Sequence, residues 1–543
     1  MHGLKSKVGQ VRQGEMTIPH LVMVDTAQIQ PYVFGSNRLR ENIGASHLVA
    51  QATGEWALSL LDNPTQKIYA GGGNVVALFP DSDSAEKFTR RLSRRVLEQA
   101  PGLRLVIASH PFDSGHESLA DALQQAAERL AVLKRSDPLS VALLGLSITQ
   151  PCGATGLPAT GLAPRRGGDP TSVYPASDEI LEKIAAAAEA QARLTTGADG
   201  LPPSPGYVYP SDFDEMGRST GEDSYIAVVH ADGNGMGRRL ADLARAAADD
   251  DACRQALEDF SVRLHRASLS ALRATVGRLE EAYGDNREDI SIRVPLRETS
   301  RGGVFFLPMR PLVFGGDDVT FVCDGRLGLA LATCYLEAFR VATESLPGGP
   351  ATACAGVAIV KTHYPFARAY EIADALCRTA KALHRDMKER NYVDVACLDW
   401  HFTSGGLLGE LDTIRQREYD VPSGRLNLRP VALSPDAPTH QRWDVVRKGL
   451  NAFTGDGWLE RRSKAKALRE ALRGGPPAVE RFCQFYNASD DNPKGLLPDL
   501  GSGFGTARET GWISAAPHRC AYFDALELFD RFIPLDDASE DAG

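Results

Sequence analysis

The chain repeats itself, and this limits its fold more than any other feature. Lys67-Ile68-Tyr69-Ala70-Gly71-Gly72-Gly73-Asn74-Val75-Val76-Ala77-Leu78-Phe79 is an apolar run broken by a Gly-rich turn. Val313-Phe314-Gly315-Gly316-Asp317-Asp318-Val319-Thr320-Phe321-Val322 has the same form. Gly, Asn and Asp accept turn dihedrals that β-branched residues refuse, so both read as hairpins. An apolar strand ending on Asp precedes each: Leu21-Val22-Met23-Val24-Asp25, and Tyr225 through His230-Ala231-Asp232. Helix and strand patterns follow each, at 84–99 and 103–109, then at 327–344 and 352–360. Both copies continue with a helix carrying Ala-Asp-Ala-Leu, at 120–123 and 373–376. The order β–α–α–β–β–α–β–α is a ferredoxin-like split βαβ layout. Chance similarity of two α/β units is the plain alternative; the shared glycines argue for a repeat.

The copies differ where chemistry would lie. Gly73 and Asn74 stand where the second copy has Asp317 and Asp318, and counting from Ala-Asp-Ala-Leu places Lys381 opposite Glu128. Paired carboxylates at a strand end suit hard divalent cations that grip a nucleoside triphosphate. A lone Gly-Gly-Asp-Asp is ordinary turn composition. A second element raises its meaning: Asp232 runs into Gly233-Asn234-Gly235-Met236-Gly237, a break before a helix near Arg238. Such a turn lets backbone N–H groups approach phosphates. If the two strands are neighbours, Asp232, Asp317 and Asp318 converge and repel unless cations neutralise them. His230 shares the face of Asp232. It reads as a packed histidine, because a metal-activated hydroxyl needs no imidazole base. Lys381 borders the apolar face Ile372, Ala373, Leu376, Ala380 and Leu383, from which it can lean toward a phosphate.

At 543 residues the chain should hold several domains. The expected division is 18–150, a first domain without its acidic pair; 151–222, a Gly/Pro-rich linker with a short helix opened by Ser177; 223–403, the second domain; and 404–543, mostly helical. The fold class is α+β. No run is apolar enough to span a membrane, residues 1–16 are polar and unlike a secretory signal, and nine scattered cysteines contain no C-x-x-C pair. A reduced cytoplasm fits. A net charge of −10 argues against a wholly basic nucleic-acid binder and leaves room for a local groove. The basic amphipathic stretch 461–473 reads as a solvated face, or as a contact for RNA or a partner protein. Residues 536–543 read as an acidic tail.

The Gly-Gly-Asp-Asp hairpin, the strand-Asp-Gly-x-Gly-Met-Gly turn and the tandem domains resemble the large polymerase/cyclase subunit of type III CRISPR effectors, the Cas-ten (Cmr-two) palm family. The resemblance covers 18–403, with a helical C-terminal region that suits the family. Phe34-Gly35-Ser36, Arg38-Leu39-Arg40 and Gly44-Ala45-Ser46 look like the opening of its first palm, and Pro308-Met309-Arg310-Pro311 like the approach to its second. The resemblance implies two nucleotidyl-cyclase/polymerase palms that make cyclic oligoadenylates from ATP for antiviral defence. It implies Mg²⁺ or Mn²⁺ on Asp232, Asp317 and Asp318. Gly233, Asn234, Gly235, Gly237, Gly315, Gly316 and Lys381 would surround the phosphates. Arg38, Arg40 and Ser46 would meet a second nucleotide, with structural salt bridging equally open for the arginines. RNA or other defence-complex subunits are implied partners.

Three departures suggest a divergent or stand-alone member. Asn234 replaces an Asp that the family often shows. No His-Asp dipeptide occurs, so the nuclease domain of some relatives is expected to be absent. Cys152 stands alone before Gly153, so no zinc is expected. Other readings stay open: a cyclic dinucleotide or mononucleotide product, a nucleotide-binding sensor or scaffold, and nucleic-acid polymerisation.

Overall fold

The computed structural model describes residues 18–136, 148–165, 172–197, 199–216, 224–284, 294–393, 395–403, 409–455, 458, 461–489, 491–513 and 518–535. The polar start and the acidic tail 536–543 lie outside them.

The first copy is a four-stranded antiparallel sheet. Its strands are β1 (His20–Ala27), β2 (Lys67–Gly71), β3 (Asn74–Phe79) and β4 (Arg104–Pro111), in the order β2-β3-β1-β4. Helices α1 (Ile29–Phe34), α2 (Leu39–Thr53), α3 (Ser82–Gln99) and α4 (Leu119–Ser136) complete it. After an intervening helix α5 (Asp178–Thr195) the pattern recurs. Strand β5 (Tyr225–Gly233) leads into α6 (Met236–Ala246) and the long α7 (Asp250–Gly284). Then come β6 (Met309–Val313), β7 (Asp318–Asp324), α8 (Gly328–Ala342), β8 (Ala353–Lys361), α9 (Phe366–Glu389) and β9 (Cys397–Phe402). The sheet order is β6-β7-β5-β8-β9, closed at its edge by β10 (Val431–Ala432).

Both faces of the second sheet are covered, so its strands are almost continuously apolar. Ala227, Val229, Ala231, Val319 and Phe321 pack with α7 and α8, while Ile226, Val228, Val322, Ala358 and Val360 pack with α9, α1 and α2. Helix α9 buries Phe366, Ala369, Tyr370, Ala373, Leu376, Ala380 and Leu383, a helical stripe. Gly356 admits this close packing: a Cβ there would stand 2.0 Å from the Ala373 carbonyl oxygen. The two copies share a core, and Asn37 Oδ1 of the first accepts the backbone N–H of Phe366 (2.8 Å), capping α9.

Two regions add to the expected division. The described residues of 151–222 hold a helix and a strand pair. Helix α5 has 18 residues, and Ile180, Ala186, Ala190 and Leu194 bury its apolar stripe, while Gly161–Pro164 and Val173–Ala176 form a hairpin. High Gly and Pro content hid the hairpin, because both residues also serve short edge strands. The C-terminal region does not begin a separate core at 404. Val431 and Ala432 extend the second sheet, and one core runs from Phe321 through Trp400 to Trp443, Phe453 and Tyr522. Besides its helices it carries a small sheet of Asp420–Val421, Gly424–Arg425, Trp512–Ile513 and Arg519–Cys520. The basic stretch forms a helix (Arg462–Arg473) that buries Ala465, Leu468 and Leu472.

Candidate active site

Strands β5 and β7 are antiparallel neighbours, and Asp232 lies directly opposite Asp318. Asp317 precedes β7, and its carbonyl oxygen accepts the N–H of Gly233 (3.1 Å). The turns are seated by glycine: a Cβ on Gly233 would fall 2.7 Å from the Asp317 Cβ. Three carboxylates thus share one end of the sheet. Burial, then Asp232 and Asp318, push the Asp317 carboxyl up to about 6. The charged form is thus less favourable here than in water, and a cation would offset that cost.

Lys381 reaches over from α9. Its Nζ lies 2.5 Å from Asp232 Oδ2 and donates to the Gly233 carbonyl oxygen (3.0 Å). Burial pulls this ammonium down, but Asp232 more than offsets it, and the net shift is upward. His230 Nδ1 stands 3.3 Å from Asp318 Oδ1, 3.2 Å from Thr320 Oγ1 and 3.4 Å from the Tyr370 hydroxyl. Its Nε2 is 3.8 Å from Asp374 Oδ1. Burial lowers the imidazole pKa, and Asp318, then Asp232 and Asp374, raise it further than burial lowers it. His230 is therefore packed, as its strand position implied, yet it also touches the acidic set. Asp374 belongs to the Ala-Asp-Ala-Leu stretch; that shared motif was the signal for it, used only to align the copies.

Asn234 faces inward. Its side-chain amide donates to Thr352 Oγ1 (3.0 Å) and lies 3.4 Å from His384 Nδ1, and its Oδ1 accepts from Cys354 Sγ (3.3 Å). The Asn234 amide is thus engaged by buried partners, one of which, Cys354, lies opposite Asp232 in the sheet. Gly235 adopts φ 72°, turning the chain into α6, whose first turn holds Gly237. Gly315 (φ 113°) borders His265, and a Cβ on Gly316 would lie 3.2 Å from Gly72 Cα. The two hairpin tips therefore meet.

The first copy repeats the register. Asp25 lies opposite Asn74 as Asp232 lies opposite Asp318. Lys134 of α4 forms an ion pair with Asp25. This corrects the expected loss of the lysine. Counting by sequence placed Glu128 there, but the helix supplies its cation from the last turn instead.

The oxygen donors of Asp232, Asp317 and Asp318 suit Mg²⁺ or Mn²⁺. Among the described residues, however, no group of three His, Cys, Asp or Glu side chains is gathered as a ready metal cage. Lys381 holds Asp232 in its place. The donor chemistry fits a divalent cation, and Asp317 would be relieved by one.

The expected second-nucleotide residues make the following contacts. Ser46 Oγ donates to the Leu312 carbonyl oxygen (2.5 Å), tying α2 to β6. Arg38 stacks over the Tyr174 ring (3.8 Å to its centre) and lies 3.5 Å from Glu41. Arg38 and Arg40 line a cavity of about 240 Å³ with Arg165, Phe213 and Arg297. The Phe213 ring lies 5.1 Å from that of Phe366, at the start of α9. Lys381 is fifteen residues further along that helix, or roughly 22 Å at 1.5 Å per residue.

No helix among the described residues is long and apolar enough to cross a membrane. A family profile described as "Cas10/Cmr2, second palm domain" matches residues 225–392. No curated protein matches the chain. Among solved structures, a Csm1-Csm4 cassette in complex with AMPPNP aligns at 15% identity, covering 96% of this chain and 70% of that chain, with a TM-score of 0.53. A Csm1-Csm4 cassette in complex with pppApApA aligns at 14% identity with the same coverages and a TM-score of 0.52. At such identities the likeness is one of fold.

Proposed function

We propose, from the match of residues 225–392 to the Cas10/Cmr2 second-palm profile, that this protein is a nucleotidyltransferase that joins ATP into oligoadenylates and closes them into cyclic second messengers in antiviral defence. In each step a ribose hydroxyl oxygen bonds to an α-phosphorus, the bond from that phosphorus to the β-bridging oxygen breaks, and pyrophosphate leaves; the hydroxyl proton passes to solvent.

The observation that carries this reading is the meeting of Asp232, Asp317 and Asp318 at one sheet end, with Asp317 pushed up to about 6. Mg²⁺ or Mn²⁺ on these carboxylates would lower the pKa of the attacking hydroxyl and neutralise the triphosphate. The chain's own groups do the rest. Lys381 balances Asp232 before substrate binds, and its ammonium is placed to meet phosphate charge afterwards. The Gly233–Gly237 turn directs the N–H groups at the start of the 11-residue α6 outward for a phosphate. The nearby His230 is not needed as a base. The neighbours' bound AMPPNP and pppApApA support adenylate chemistry at this fold, and their Csm4 subunit supports a partner of that kind here.

Product analysis tests the reading. The purified protein is incubated with each NTP and Mg²⁺ or Mn²⁺, with and without RNA, beside Asp317→Ala/Asp318→Ala, and products are resolved by mass. A cyclic adenylate that vanishes in the variant is expected. A second reading, a nucleotide-binding sensor or scaffold, draws on the ion pair that occupies Asp232. Bound nucleotide with no pyrophosphate release, even with RNA and partner subunits present, would favour it.

A further inference from the structure

Asp318 is the exposed member of the acidic set, with half its side chain in solvent (50%). Solvent alone leaves an Asp several rotamers. One buried group restricts this one: His230, whose side chain is 6% exposed. The imidazole cannot turn freely. Thr320 Oγ1 and the Tyr370 hydroxyl flank Nδ1, Asp374 flanks Nε2, and the Tyr370 ring meets its edge at 5.3 Å and 64°.

Tyr370 is held in turn by the first copy. Phe34 of α1 stacks on its ring (4.0 Å, 23°), and Gln30 Nε2 donates to its hydroxyl (3.5 Å). Phe34 is 2% exposed, so this stack is part of the shared core. A contiguous series of packed side chains, Phe34–Tyr370–His230–Asp318, therefore runs from the first palm to a carboxylate of the second. Packed cores deform little, so the aim of the last side chain depends on the seating of the first.

We propose that His230 is a positioning residue for Asp318, and that Tyr370 and Phe34 make the first palm, which lacks the acidic pair, a device for aiming that carboxylate. The proposal rests on the reading of Asp318 as a ligand of the nucleotide site. It assigns His230 no proton transfer.

The test needs no turnover. Mg²⁺ is titrated into the protein with a nonhydrolysable ATP analogue, and analogue binding is read by calorimetry. Groups that orient a metal ligand typically change metal affinity about 10–100-fold, so His230→Ala should raise the Mg²⁺ midpoint about tenfold and Tyr370→Phe about threefold. His230→Asn, which keeps a side-chain N–H, should recover part of the loss. Phe34→Leu should add less in the His230→Ala background than alone. Tyr370→Phe keeps the ring and its stack, so it reports even if His230→Ala folds poorly. Unchanged midpoints in His230→Ala and Tyr370→Phe, while Asp318→Ala abolishes the metal dependence, would overturn the positioning role. If Asp318→Ala leaves the metal dependence intact, the reading of the site itself fails, and the positioning role with it.

Discussion

The two halves of this molecule share a sheet register and an ion pair, and at that end of the sheet they part in the acidic pair. Asp25, Asn74 and Lys134 in the first occupy the places of Asp232, Asp318 and Lys381 in the second. The first lacks the carboxylate pair: Gly73 and Asn74 stand for Asp317 and Asp318. The difference separates what the fold needs from what the chemistry needs. A lysine over the terminal Asp of the first strand is kept in both halves, so it serves the architecture as well as any substrate. The adjacent carboxylates occur in one half alone.

The comparison breaks most sharply at the acidic pair. Asp317→Ala/Asp318→Ala should cost at least ~1,000-fold in pyrophosphate release with circular dichroism unchanged, since removing metal ligands removes the charge stabilisation itself. Retained activity would end the two-half distinction. Next come the lysines. Lys381→Ala should lower kcat/KM roughly 10–100-fold, the scale of one lost electrostatic contact, and Lys134→Ala less than about twofold. Equal losses would mean that both halves touch substrate.

Asn234→Asp should destabilise by about 1–3 kcal/mol in denaturant unfolding without raising activity, because a buried carboxylate would replace an amide bonded to Thr352 and Cys354. A gain in activity would show that the side chain turns toward the metals. The smallest effect concerns pH. The Asp317 carboxyl titrates at about 6 in the fold and near 3.9 unfolded, so the neutral form favours folding. That stability is complete below about pH 4 and lost as pH rises through about 6. In EDTA, Asp317→Asn should match the parent near pH 4 and exceed it by about 1–2 kcal/mol above pH 6, a value discounted for partial exposure. Mg²⁺ with nucleotide should close the gap.

Much of this was legible in the sequence because glycine turns and apolar strands are local signals. The hairpins at 67–79 and 313–322 and the strands into Asp25 and Asp232 follow from period-two burial and turn chemistry, while the convergence of Asp232 with Asp317 and Asp318 also needs their two strands to pair, which the tertiary register supplies. The pairing of Lys134 with Asp25 did not, because the tilt of a helix over its sheet is set by packing and not by counting from a motif.

The sequence by itself determined the two copies, the order of their elements along the chain and the half that bears the acids, since these depend on which residues are adjacent in the chain. Only the tertiary structure decided that Asn234 faces inward, that Lys381 occupies Asp232, and that Phe34 of one half is packed through Tyr370 and His230 to Asp318 of the other. Those contacts join residues far apart in the chain, the nearest pair being His230 and Asp318, and close packing of two sheets and α9, not any local pattern, brings them within reach.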